Sequence, residues 1–386
     1  MGDSRYTVAM KMRRALVPVL AAAIAVPAAC AQAQSYEQLK AACHDDAPNI
    51  HKVEGCDALI ATDREGPEAL ALAYYKRGNG YGEKGWRQRA IQDYDRAIEL
   101  KPDYVAAYHN RALYYEALGY PEKALADYDH AIAIWPEFAF GINHRGMLYE
   151  ALGQHERAFN DFDRAIALRP DLAEAYYQRG NAFHTAHQFE RAIQDFNKAI
   201  QLVPNYAEAY DRRGVAYKNK DQYDRAIADY DKAIALKPSR AVFYYNRGRA
   251  HYFKDQFDLA MRDYDTALRI EPDADILMSR GRCHYAVTRF REAVADYDAA
   301  LRLKPKDALV HFNRGTALVR LQEYDAAITD YDAALAVTPT SAISLFGRGV
   351  AKRGRGDLAG GDVDIRAAIA LQSDIAVQMA KLKIQP

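Results

Sequence analysis

Prolines recur along this chain at a fixed step. Pro102, Pro136, Pro170, Pro204, Pro238 and Pro272 are each 34 residues apart, Pro305 follows after 33 and Pro339 after 34. The text before each proline repeats as well: residues 90–102 read AIQDYDRAIELKP and residues 226–238 read AIADYDKAIALKP. A fixed period of this length is the mark of one supersecondary unit stacked on copies of itself.

With the units numbered so that these prolines fall at position 32, other positions become constant. Position 8 is Gly in every unit but one, from Gly78 to Gly349, with Ala112 the exception. Position 20 is Ala from Ala90 to Ala327 and Gly361 in the ninth unit, and position 27 is Ala from Ala97 to Ala368. Position 24 is aromatic from Tyr94 to Tyr331 and becomes Ile365 at the end. Apolar residues at 4, 8 and 11, then at 20, 24 and 27, follow a helical period, so each unit reads as two amphipathic helices. Small residues at 8, 20 and 27 let the two helices approach closely, and the aromatic at 24 fills the space they leave. Proline at 32 ends the second helix. Asp103, Asp171, Ser239 and Asp273 follow it and are expected to cap the next helix.

This order of aromatic, Gly, aromatic, Ala, aromatic, Ala and Pro resembles the tetratricopeptide repeat (TPR) family, over residues 67–372, roughly four-fifths of the chain. The resemblance implies an all-α fold: a right-handed superhelical solenoid of about nine helix-turn-helix repeats, the ninth degenerate. It also implies that one face of the first helices lines a concave groove.

The chain departs from the family pattern in its charges. Position 7, often Leu in the family, is Arg in all nine units, from Arg77 to Arg348. Position 23 reads as Asp throughout, from Asp93 to Asp362, and position 25 is nearly always Asp. A charged binding track is one reading. Residues identical in every unit suit the lattice that every unit shares, so the expectation is a ladder of Arg–Asp bridges.

A stack needs covered ends. Residues 34–66 read as an N-terminal helical cap and residues 373–386 as a C-terminal capping helix, with Ile375, Met379 and Leu382 on one face. Gly354, Gly356, Gly360 and Gly361 weaken the ninth unit, since glycine inside a helix costs about 1 kcal/mol relative to Ala. Residues 1–33 are of another kind. A basic start, the apolar run ALVPVLAAAIAVPAAC and the small-x-small site Ala31-Gln32-Ala33 read as a secretory signal peptide cleaved before Gln34. Pro18 and Pro27 interrupt the run, which is short for a membrane span. Cys30 raises a lipoprotein form, against which Pro27 stands where such signals want Leu. The start codon is open between Met1, Met10 and Met12. The expected home is the bacterial periplasm, with no membrane insertion after cleavage.

Export gives the remaining cysteines a meaning. Cys43 and Cys56 are expected to form a disulfide; the rival is a metal site with His44 and His51, whose spacing suits zinc poorly. Cys283 reads as a small buried residue.

If constant positions build the scaffold, varying positions carry the information. Positions 5 and 9 share a face of the first helix, and the family resemblance places that face in the groove. The candidate groove residues are Tyr75, Asn79, His109, Asn143, Tyr177, Asn181, Tyr245, Arg249, Arg282 and Phe312. Asn can donate to and accept from a peptide backbone at once, and Tyr offers a flat contact at low entropy cost. Tyr245, Arg249 and Arg282 suit an acidic segment, and Tyr252, Tyr285 and Phe312 extend them. The family's carboxylate clamp wants Lys at position 5, and none stands there.

Lys+Arg equals Asp+Glu at 52 each, which gives no footprint for nucleic acid. His155-Glu156 lacks the second histidine of a zinc-protease helix, and His184 and His187, read on one helix, are a weak metal pair. No catalysis, cofactor or metal is expected. The expected function is a non-enzymatic envelope module that binds an extended peptide segment of a protein partner. The alternative is a scaffold that self-associates or binds cell-wall glycan.

Overall fold

The computed structural model describes residues 35–44 and 52–385. The expected signal peptide, the polar turn after His44 and His51 lie outside them. Every regular element among the described residues is an α-helix. They form two compact bodies, residues up to Leu100 and residues from Lys101 on, which are taken in turn.

The first body holds α1 (Tyr36–His44), α2 (Lys52–Ala61), α3 (Pro67–Glu83) and α4 (Arg87–Leu100). Cys43 on α1 and Cys56 on α2 are fully buried and joined by a disulfide, so neither thiolate is left to hold a metal. Beside the bond the helices nearly touch: a Cβ on Gly55 would lie 2.8 Å from Ala42. Pro67 opens α3, where its missing N–H costs nothing.

The second body continues the alternation. Its first helices are α5 (Val105–Ala117), α7 (Ala139–Ala151), α9 (Ala173–Thr185), α11 (Ala207–Asn219), α13 (Ala241–Phe253), α15 (Ala274–Ala286), α17 (Ala308–Arg320) and α19 (Ala342–Arg355). Its second helices are α6 (Pro121–Ile134), α8 (His155–Leu168), α10 (Phe189–Leu202), α12 (Tyr223–Leu236), α14 (Phe257–Ile270), α16 (Phe290–Leu303), α18 (Tyr324–Val337) and α20 (Leu358–Leu371), and α21 (Ile375–Lys381) ends the chain. Each helix packs on its neighbours in sequence, and from α7 to α19 successive first helices also touch each other. The first helices therefore form the inner side of the stack in this body.

The lock within each unit joins position 8 to position 24. A Cβ on Gly180 would lie 2.7 Å from the Phe196 ring, and one on Gly281 2.6 Å from the Tyr297 ring. Glycine is required there by close approach, not by backbone conformation. The alanines at 20 and 27 are buried throughout the second body, except that position 20 is the buried Gly361 in the last unit. Cys283 is buried as expected, and burial pushes its thiol up to about 12.

The expected caps are corrected. Asp273 does cap α15, accepting from the backbone N–H groups of Asp275 and Ile276. Asp103, Asp171 and Ser239 stand one residue too early: Tyr104, Leu172 and Arg240 occupy those N-cap positions and make no side-chain cap. The cause is the shortened step after Pro272, which pulls its aspartate into the cap position.

Each turn between the two helices of a unit contains one left-handed residue at position 15. It is Gly85, Gly119, Gly153 and Gly356 in four units, and His187, Asp221, Asp255, Thr288 and Gln322 in the other five. His187 thus lies beyond the end of α9 at φ 57°, not on one helix with His184. A β-branched residue fits this region worst. Thr288→Gly is expected to stabilise the protein by about 1 kcal/mol, read as a raised melting temperature, and Gly153→Thr to lower it. A lowered melting temperature for Thr288→Gly would contradict the assignment.

Candidate functional site

The constant charges are spent inside the lattice. In the second body each position 7 arginine forks onto the position 23 aspartate of its own unit: Arg179 Nε and Nη2 donate to the two Asp195 oxygens, both at 2.8 Å. Its Nη1 reaches back 2.6 Å to Asp163, at position 25 of the preceding unit. Arg145 does the same with Asp161 and Asp129, and Arg247 with Asp263 and Asp231. The pattern holds at Arg280, Arg314 and Arg348. In the ninth unit the aspartate of the fork is Asp364; Asp362 lies two residues off and pairs with Arg353 instead. At Arg213 the acceptor in the preceding unit is the amide oxygen of Asn197. In the first body Arg77 bridges Asp93 and, on α2, Asp57. The forked aspartates are buried and the arginines mostly so. Burial pushes the Asp93 and Asp229 carboxyls up, against the pull of Arg77 and Arg213. Desolvation is outweighed at Asp364, where Lys352 joins Arg348 and the pKa falls. A ladder so paired offers little to a ligand.

Positions 5 and 9 are placed unevenly. In the first body Tyr75 packs on Tyr94, whose hydroxyl donates to the Asn79 side chain. In the second body Tyr177 is half-buried between the rings of Phe196 and Tyr206, and Asn181 is half-buried one turn on. Arg249 lies over Tyr245 at 5.6 Å, while Arg282 lies over Tyr252 at 4.9 Å and donates to its hydroxyl. His109 meets the edge of His144, and burial lowers its pKa to about 4. Two candidates are covered. Asn143 is fully buried and its amide N–H faces the Met147 sulfur, and Phe312 is buried against the Tyr331 ring. Neither offers its side chain freely to a passing segment.

The rows chosen from sequence missed a polar link between first helices. Asp211 on α11 accepts from the Asn246 amide on α13 at 2.8 Å. Both are buried, and desolvation pushes the Asp211 carboxyl up to about 6. Lys218 on α11 is buried as well, and desolvation with Arg249 nearby lowers it to about 8. Position 6 carried no repeated signal, so Asn246 was invisible to a search by rows.

At the far end the inner side is occupied by the chain itself. After α21 the backbone turns at Lys383, φ 56°, and Ile384 is buried. The Tyr285 hydroxyl, at position 12 of α15, donates to the Leu382 carbonyl at 2.5 Å. Ile375 and Met379 are buried under this segment. Among the described residues no three His, Cys, Asp or Glu side chains gather as a metal site, and no helix is long and apolar enough to cross a membrane.

Models of the tetratricopeptide repeat match residues 105–138, 173–206, 245–308, 280–342 and 312–361, and a model described as TPR repeat matches 87–119, 146–186 and 219–255. Between them they cover well over half of the chain. No curated protein matches it. Among solved structures, a tetratricopeptide repeat protein from Parabacteroides merdae is 23% identical over 65% of this chain and 99% of its own, with a TM-score of 0.52. The Cut9–Hcn1 hetero-tetramer of APC/C aligns over 86% of this chain and 82% of that one, at 15% identity and a TM-score of 0.52. At these identities the likeness shows the fold alone.

Removing an arginine of the ladder leaves a buried carboxylate unpaired, which costs about 2–4 kcal/mol where the pair is largely buried. Arg179→Met is expected to melt well below the parent protein, and Arg179→Met with Asp195→Leu to recover part of the loss. Unchanged melting in the single variant would remove the ladder from the stability account.

Asp211 gives a pH test. Its folded pKa of about 6 lies above the unfolded value of about 3.9. Its contribution is full below pH 4 and is lost as pH rises through 6, where a buried carboxylate must be carried. Asp211→Asn is expected to raise stability by about 1–3 kcal/mol at pH 8 and little at pH 4. Equal gains in melts at both values would contradict this.

Proposed function

Because the chain belongs to the tetratricopeptide repeat family, whose members work as protein–protein interaction modules, we propose that it holds an extended segment of a protein partner against the inner face of its first helices. The observation that carries this reading is the chain's own C-terminal segment. It lies along α15, α17 and α19, and a tyrosine hydroxyl of that face grips a backbone carbonyl. A side chain that binds a peptide group, not a particular side chain, is what capture of an extended segment requires. The open stretch runs through Tyr177, Asn181, Tyr245 and Arg249, where aromatic faces, an amide and an unbridged arginine alternate. The arginine favours an acidic segment. The leader-like residues 1–33 support export, and we place the working protein in the cell envelope.

Affinity capture from envelope extract tests the reading, with residues 34–386 as one bait and the same bait carrying Tyr177→Ala, Asn181→Ala, Tyr245→Ala and Arg249→Ala as the other. The expected outcome is one protein held by the first bait and reduced more than tenfold on the second, with endogenous chain recovered from the envelope starting at Gln34. Equal capture by both baits, or self-capture only, would overturn the groove reading and favour a scaffold. A chain found with its leader intact in the cytoplasm would overturn the location.

A further inference from the structure

Where the C-terminal segment closes on the first helices it leaves a cavity of about 420 Å³. This is within the range of small-molecule sites, roughly 300–1,000 Å³. α13, α15 and α17 and residues 381–383 contribute to its walls, together with Tyr297 of α16. The apolar lining includes Tyr297, Leu309 and Phe312, flanked by Tyr252 and Tyr285.

The polar lining has one sign. Arg282, Arg320, Lys381 and Lys383 line the cavity, and no acidic residue does. None of the four forms an ion pair with a described residue, whereas every arginine of the ladder does. Two are held in place by rings instead: Arg282 by Tyr252 at 4.9 Å and Arg320 by Phe290 at 4.5 Å. Stacking fixes a guanidinium plane while leaving N–H edges for a ligand. A third observation is independent of charge. The Asn313 side chain lines the cavity, and its amide nitrogen is buried with no hydrogen-bond partner. A buried donor left unpaired is costly, so an acceptor is wanted at that point.

An oriented pair of guanidinium groups, an orphan amide donor and an apolar floor describe a receptor for an acid with an apolar body. We propose that this cavity binds a carboxylate borne on an apolar group, with the acid between Arg282, Arg320 and the Asn313 amide and the apolar part against Tyr297 and Phe312. Residues 381–383 wall one part of the cavity, so a compact ligand suits it. A small organic acid meets that condition; the free carboxyl end of a peptide, the ligand of the family's carboxylate clamp, is the competing outcome of the test. The proposal goes beyond the groove reading: Tyr177, Asn181, Tyr245 and Arg249 do not line the cavity, so the capture variant leaves it whole and either idea can fail alone.

Calorimetric titration of the purified chain tests it with four probes: 4-phenylbutanoate, its amide, and an acetylated Ala-Ala-Leu-Phe peptide with a free or an amidated end. 4-Phenylbutanoate is expected to bind at least tenfold more tightly than its amide and more tightly than the free-ended peptide. Tighter binding of the free-ended peptide would make the site a carboxylate clamp and overturn the proposal. Arg282→Gln and Asn313→Asp are each expected to weaken 4-phenylbutanoate at least tenfold; the first touches an exposed side chain, so folding is kept. No binding of 4-phenylbutanoate, equal binding of it and its amide, or full affinity in folded Arg282→Gln would also overturn the proposal.

Discussion

The arginine at position 7 is the joint on which the stack depends. One planar guanidinium satisfies two helices at once, with two N–H groups for the aspartate of its own unit and a third for the unit before. Lysine, with a point charge on a flexible stem, offers no such fork. The requirement explains why the residue does not vary while its neighbours on the same helix do. It also explains why a conspicuous line of charge is no binding track: at Arg179 both acidic partners lie within 2.8 Å, and little charge remains to attract anything.

The second constraint is spatial. The ring at position 24 lies so close to position 8 that glycine is nearly obligatory, and the tyrosine hydroxyls then emerge beside the variable face. Tyr94 donates to Asn79, Tyr128 to Glu116, and Tyr331 meets Thr316, while the Tyr230 hydroxyl, with Val215 at position 9, has no partner. The scaffold's own core residue thus tunes the polarity of the inner face, unit by unit. The lattice and the candidate site share side chains, and their rows cannot be varied independently.

This bears on what could be seen before the structure. Periodicity made the helices, their pairing and the arginine ladder legible, because each rests on residues that recur. What does not recur stayed hidden. The left-handed turn residue at position 15 is glycine in only four units, so its backbone demand left no constant letter. Asn143 matches its row but is buried, since burial depends on neighbours from adjacent units. The cavity near Asn313 depends on a C-terminal segment returning to α15, a contact across 97 residues that no local pattern announces. The expected caps at Asp103, Asp171 and Ser239 missed by one residue because the N-cap stands two residues after the proline, and only the deletion after Pro272 brings the next residue, Asp273, into that place.

The joints are not all equal. Of the seven from Arg145 to Arg348, only Arg213 reaches back to a neutral acceptor, the Asn197 amide, where the others meet a carboxylate. Within a unit two ionic hydrogen bonds resist separation; between units there is one, and at Asn197 it carries a single charge. The link between α10 and α11 is therefore the one of the seven without an ion pair, and apolar packing carries more of that boundary.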